Sequence, residues 1–212
     1  STLFPYTTLF RSGPGAFTFK VMGQDIRLKA NSAPTIYGNA FVLKIIPFVK
    51  EPIKLIDVGL DSEICFELSK TMKKHSGVMI FSSPAKIGLS RTLYAVLREV
   101  IFSDKKVVTL EDFVTFRREG FIQMEYSSLN GADDYGALEL ALGQNPDVLM
   151  MSLDLDFQPE TLEKIFGLAL TGKLILLALP FQNVYTCFCY LKSLGLPSFV
   201  LAGALQSIFV QR

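Results

Sequence analysis

Half of the 212 residues are hydrophobic and 19% are charged, a globular balance that excludes a disordered chain and leaves room for one sizeable α/β domain with a smaller piece beside it. A formal net charge of +1 gives no general pull toward nucleic acid or an anionic membrane surface. Mean hydropathy is positive at +0.35, yet no apolar run approaches the ~18 residues of a membrane span; the longest candidate, Leu174 to Leu179, has the length of a buried strand. Three cysteines, Cys65, Cys187 and Cys189, lack metal-ligand spacing and read as reduced thiols.

In chain order, residues 1–12 read STLFPYTTLFRS, a string that resembles the translation of a sequencing adaptor; they are expected to lie outside the fold, with a chain truncated at its N-terminal side. The alternating Phe17, Phe19 and Val21, a turn at Gly23-Gln24, and a second alternating run through Ile26 and Leu28 predict a hairpin. A loop around Pro34 and Gly38 and a third extended run, Phe41 to Ile46, complete a β-rich piece over 13–50. Pro47, Pro52 and Gly59 mark a linker over 51–60.

From residue 61 to 212 the pattern changes to helices alternating with apolar strands. Asp61 is the expected cap of a helix reaching Lys74 and ended by Gly77, followed by a strand Val78 to Phe81. Next come helix Ser90 to Phe102, strand Lys106 to Leu110, helix Ala132 to Gln144 and strand Val148 to Met151. Helix Pro159 to Leu170, strand Leu174 to Leu179, helix Asn183 to Leu194 and a last helix from Pro197 onward close the chain. Alternation of this kind predicts a parallel sheet with helices on both faces.

The first strand-to-helix junction reads FSSPAKIGLSRTLYAVLREV. Such a junction is where a phosphate loop, G-x-x-x-x-G-K-[S/T], gathers free backbone N–H groups and a helix dipole around an anion. The eight positions here are Ser83, Pro84, Ala85, Lys86, Ile87, Gly88, Leu89 and Ser90, with Arg91 following. Gly88 and the Ser90 hydroxyl fit; Ser83 stands for the first glycine and Leu89 for the lysine.

The stretch Val78 to Arg98, with Thr92-Leu93-Tyr94 in its helix, resembles the family of type II secretion and type IV pilus assembly ATPases. GQDIRLKANSAPTIYGNAFVLKII is similar to the end of that family's N-terminal β domain, and VVTLEDFVTF to its acidic box. QNPDVLMMSLDLD stands where its Walker B strand runs, ALTGKLILLALPFQN resembles its histidine box, and FVLAGALQSIFVQR a later helix. The resemblance implies a RecA-like P-loop ATPase fold. For active members it also implies ATP and magnesium as cofactors and a hexameric ring; for this chain those cofactors are expected only if it is itself active, and its partners are an inner-membrane platform protein and its own or related ATPase subunits, on the cytoplasmic side of that membrane. No nucleic-acid partner and no metal site of the chain's own are expected.

Against that pattern the charged positions are altered. Leu89 offers neither charge nor hydrogen bond where a lysine would reach the phosphates, and losing such a contact costs several kcal/mol of barrier. The Walker B glycine and acid fall at Ser152 and Leu153, with Asp154 next to them facing the other way along a strand. Histidine-box positions carry Lys173 and Pro180, and the arginines that the resemblance places in the β domain match Lys29, Ala40 and Lys44. Glu111-Asp112 keeps the core of the acidic box, with Thr115 in its later acidic position. No catalytic residue is assigned: Glu111, Asp112 and Asp154 are the candidate remnants, but Glu111 and Asp112 read as structural groups at a helix or strand end, Asp154 and Asp156 as solvated loop carboxylates, and the single histidine, His75, as a solvated helix-end group. Retained scaffold with lost charges predicts a pseudo-ATPase of structural or regulatory role. Two alternatives remain open: a divergent active motor using Lys86 and Asp154, and a nucleotide-sensing module that binds without cleaving.

Overall fold

The structure is a computed structural model that describes residues 13–21, 24–47, 54–74, 76–84, 88–100, 104–126, 129, 132–152 and 157–211. It divides into two units, residues 1–50 and 51–212.

The first unit is an antiparallel sheet, β1 (Gly13–Val21), β2 (Gln24–Thr35) and β3 (Gly38–Pro47), in the order β1-β2-β3. The expected loop around Pro34 is strand instead: Pro34 pairs with Asn39 and Thr35 with Gly38, so only Ile36 and Tyr37 turn the chain. Thr35 fixes that turn, its hydroxyl donating to the Gly38 carbonyl at 2.6 Å and accepting from the Tyr37 N–H at 3.2 Å. Asn31-Ser32-Ala33-Pro34 carries loop-forming residues, but two long partners in register outweigh their local preference.

In the second unit the described part of the expected linker 51–60, residues 54–60, is not free. Residues Leu55–Val58 form a 3-10 turn whose Leu55 is 5% exposed and joins the core. Helix α1 (Ser62–Met72) follows; Asp61 holds the cap position without a side-chain bond to the helix. The remaining elements are β4 (Gly77–Ser82), α2 (Leu89–Val100), β5 (Val107–Glu111), β6 (Phe121–Glu125), α3 (Asp134–Leu142), β7 (Val148–Ser152), α4 (Pro159–Leu170), β8 (Leu174–Leu179), α5 (Val184–Ser193), α6 (Ser198–Ala204) and β9 (Leu205–Val210). Two strands were not expected, β6 and β9, the latter where the last helix should have continued. Gly77 opens β4 rather than ending α1.

The six strands lie in the order β6-β5-β7-β8-β4-β9, and every neighbouring pair is parallel. Successive side chains on a strand face opposite ways. Thus Met79 and Phe81 of β4 pack with Leu93 and Leu97 of α2, while Val78 and Ile80 pack with α3 to α6. Both faces are covered, which is why β4 and β8 are uniformly buried and read as continuous apolar runs. Parallel strands also end together, so the residues after β4, β5, β7, β8 and β9 share one edge, where α/β sheets place their sites.

Candidate nucleotide site

The end of β4 is tied to β8 by two adjacent serines. The Ser82 hydroxyl donates within 2.9 Å of the Leu179 and Phe181 carbonyls and accepts from the Phe181 N–H at 2.8 Å. Ser83, at the first-glycine position, is 2% exposed, and its N–H reaches the Leu179 carbonyl at 3.3 Å. Pro84 is half-buried, and Gly88 re-enters with φ +75, a left-handed conformation suited to glycine. Ala85, Lys86 and Ile87 lie outside the described residues.

Leu89, in the lysine position, begins α2 and is 1% exposed, packed in the cluster that holds Phe81, Leu93 and Met79. Ser90 is half-buried and Arg91 exposed. On the opposite side of the turn, the Thr92 hydroxyl donates to Oε1 of Gln211 at 2.6 Å.

Glu111 ends β5 on the face covered by α2. It is 2% exposed, and its Oε1 accepts from the Tyr94 hydroxyl at 2.5 Å and the Thr109 hydroxyl at 2.8 Å. Gln123 of β6 completes the cluster: its Nε2 donates to the Tyr94 oxygen at 2.6 Å and the Phe116 carbonyl at 2.7 Å, and its Oε1 accepts from the Arg118 N–H at 2.8 Å. Burial raises the Glu111 carboxyl to about 7 against the pull of those two hydroxyls, with Glu125 adding to the rise. The same burial, with the Glu111 charge beside it, raises Tyr94 far above the ordinary phenol range. Asp112 is half-buried, and its N–H donates to the Ser152 carbonyl at 3.2 Å, linking the end of β5 to the end of β7.

These positions share an edge but not a single cradle. In the sheet order β4 and β7 are separated by β8, and β5 lies one strand further; at a strand spacing near 4.8 Å, Glu111 stands roughly 14 Å across the sheet from the end of β4. Leu153, Asp154 and Asp156 lie outside the described residues, as does His75. Lys173 and Pro180 flank β8 at opposite ends, and the Lys173 ammonium donates to the Pro146 carbonyl at 2.7 Å on the edge away from the turn. In the first unit Lys29 and Lys44 face each other across β2 and β3, and Ala40 pairs with Ala33. Among the described residues no group of three or more potential metal ligands occurs, and no helix is long and apolar enough to cross a membrane.

Sequence reasoning missed Thr109, Gln123 and Gln211. A tyrosine on the apolar face of α2 was one available signal, because a buried phenol needs a hydrogen-bond partner. The β-branched and aromatic run Ile208-Phe209-Val210 was another, as it favours a strand over a helix.

A parallel sheet with β8 inserted between β4 and β7, covered on both faces, is the arrangement of the RecA-like P-loop class. The solved structures most relevant to it agree. The pilus retraction motor PilT with bound ADP aligns at TM-score 0.73 and 21% identity over 97% of this chain and 60% of that one. The Legionella pneumophila ATPase DotB aligns at TM-score 0.70 and 19% identity over 93% of this chain and 56% of that one.

The family model described as type II/IV secretion system protein matches residues 13–212, and the chain belongs to that family. The type II secretion system protein E of Xanthomonas campestris pv. campestris is 27% identical over 93% of this chain and 35% of its own length. The type IV pilus assembly ATPase PilB of Thermus thermophilus is 26% identical over 89% of this chain and 21% of its own length. The chain thus spans about a third or less of these two relatives.

Proposed function

We propose that this chain is a pseudo-ATPase subunit of a type II secretion or type IV pilus machine, retained for its shape and not for turnover. The observation that carries the reading is Leu89: at the position of the phosphate-gripping lysine stands an aliphatic side chain, 1% exposed and packed into the core. No rotation of that side chain supplies a cation, and a single lost electrostatic contact of this kind costs about a hundred- to a thousandfold in rate.

The neighbouring groups point the same way. Ser83 is buried in the bonds that tie β4 to β8, Glu111 is enclosed by Tyr94, Thr109 and Gln123, and Ser152 offers no carboxylate. The described residues of the turn therefore do not fit magnesium-ATP in a reactive pose. The role left to such a subunit is mechanical: docked on an inner-membrane platform protein, or built into a ring with its own copies or with active relatives.

Phosphate release by the purified chain with magnesium and ATP tests the reading, and no rate above the enzyme-free blank is expected. Steady turnover that disappears in Lys86→Ala or Asp154→Asn overturns it in favour of a divergent motor.

A further inference from the structure

A groove opens on the surface of the second unit where the 3-10 turn, α1 and α2 meet. It measures about 400 Å³, and every residue that lines it is described. Leu55 and Cys65 form its floor; the Cys65 thiol donates to the Leu55 and Leu60 carbonyls at 3.8 and 3.7 Å and fixes α1 to the turn. Its lips are apolar and wet, Ile56 being 72% and Phe66 67% exposed. Single exposed apolar side chains are ordinary, but a pair lining one concave apolar floor marks a binding surface. The charge around the groove has one sign. Lys54 and the half-buried Arg98 line it, and no carboxylate does. On α1 the lining residues are Cys65, Phe66 and Ser69, and Lys73, one turn beyond Ser69 and still in helical conformation, continues their face. Glu63 and Glu67 lie beyond Phe66 on the outer flank, where Glu67 pairs with Lys70 at 3.6 Å. Asp57 sits about a third of a turn past Ile56 and outside the lining.

We propose that this groove docks an acidic amphipathic helix of a partner protein, its apolar face between Ile56 and Phe66 and its flanking carboxylates toward Lys54, Lys73 and Arg98. A helix in a groove is anchored by apolar side chains at i, i+3 or i+4, and i+7, and aromatic residues are enriched at the core of such contacts. Cations around the anchors select acidic flanks and steer their approach. A second copy of this chain is a poor match. Its own exposed apolar surfaces, Phe41 and Leu43 on β3 and Tyr185 and Phe188 on α5, carry Lys44 and Lys192 and no carboxylate. No residue of the phosphate-loop turn lines the groove, so docking there is independent of ATP turnover.

Fluorescence anisotropy tests this with two labelled peptides of about 18 residues, long enough to hold a helix. Both carry leucine at i, i+3, i+4 and i+7; one has glutamate on its polar face and the other lysine. The whole chain should bind the glutamate peptide saturably and the lysine peptide at least about tenfold more weakly. Phe66→Ala should weaken the glutamate peptide about tenfold. Lys54→Glu combined with Lys73→Glu should reverse the preference, an outcome that loss of fold does not produce. All three positions are exposed, so circular dichroism melts of the variants should match wild type. Equal affinity for the two peptides, no saturable binding, or indifference to Phe66→Ala overturns the proposal. A wild-type dimer in sedimentation that Phe66→Ala dissolves assigns the groove to a second copy and overturns it as well.

Discussion

At Glu111 a carboxylate that an acidic box would present to water is instead taken from it. The two hydroxyls of Tyr94 and Thr109 that serve Oε1 offset only part of the cost of burial, and the carboxyl rises from an ordinary value near 4.5 to about 7. A carboxyl whose value is raised on folding binds more protons in the folded state. Its contribution is therefore fully present below pH 4.5 and is lost as pH climbs through 7. The loss amounts to about 3 kcal/mol across that window. Urea midpoints recorded from pH 4.5 to 8 should fall with pH more steeply in wild type than in Glu111→Gln; parallel profiles would refute the assignment. Leu89 makes the converse case. Restoring the lysine of an active loop by Leu89→Lys places an uncompensated charge in the Phe81–Leu93 cluster. Denaturant unfolding should show a loss of about 3–5 kcal/mol, and no ATP turnover should appear.

Elements differ in how plainly the chain announces them. Pro159–Leu170 and Leu174–Leu179 stand where expected, because Pro at the first helical position and a glycine at 172 with φ +102 punctuate both boundaries locally. β6 was illegible: Phe121–Glu125 is half-buried along its whole length at the sheet edge, and Gln123 and Glu125 serve hydrogen bonds rather than an apolar face. β9 hid behind α6, since the chain passes from Ala204 to Leu205 with no turn residue between helix and strand. The site divided the same way. The missing lysine was visible as a letter, whereas the enclosure of Glu111 needs α2 and β6 folded onto the end of its own strand, and Gln211 meets Thr92 from 119 residues away. Gly77 shows what tertiary context adds. It opens β4 at φ +124, and a Cβ there would lie 2.2 Å from Cγ of Gln206, whose Oε1 accepts from the Lys74 ammonium at 2.7 Å. Gly77→Ala should therefore cost about 1–3 kcal/mol, read as a lowered urea midpoint with unchanged slope.

For the whole molecule, the two units are unequal in what they can bury. The parallel sheet of residues 51–212 is sealed by two core clusters, one on each face. The sheet of β1 to β3 has no comparable interior: among its residues with described side chains only Ala30 is buried, while Phe41, Val42, Leu43 and Ile45 of β3 are 54–69% exposed. A three-stranded sheet with so little burial among its described side chains sits at the margin of independent stability. A chain beginning at Glu51 should accordingly fold with one cooperative thermal transition, within about 5 °C of the main transition of the 212-residue chain, since a unit of this size moves some 2–4 °C per kcal/mol. Residues 13–50 alone should show no cooperative transition by circular dichroism. A broad, non-cooperative melt for the shorter chain would mean that the parallel sheet draws its stability from the β-rich piece, and that the two cores on its faces do not suffice.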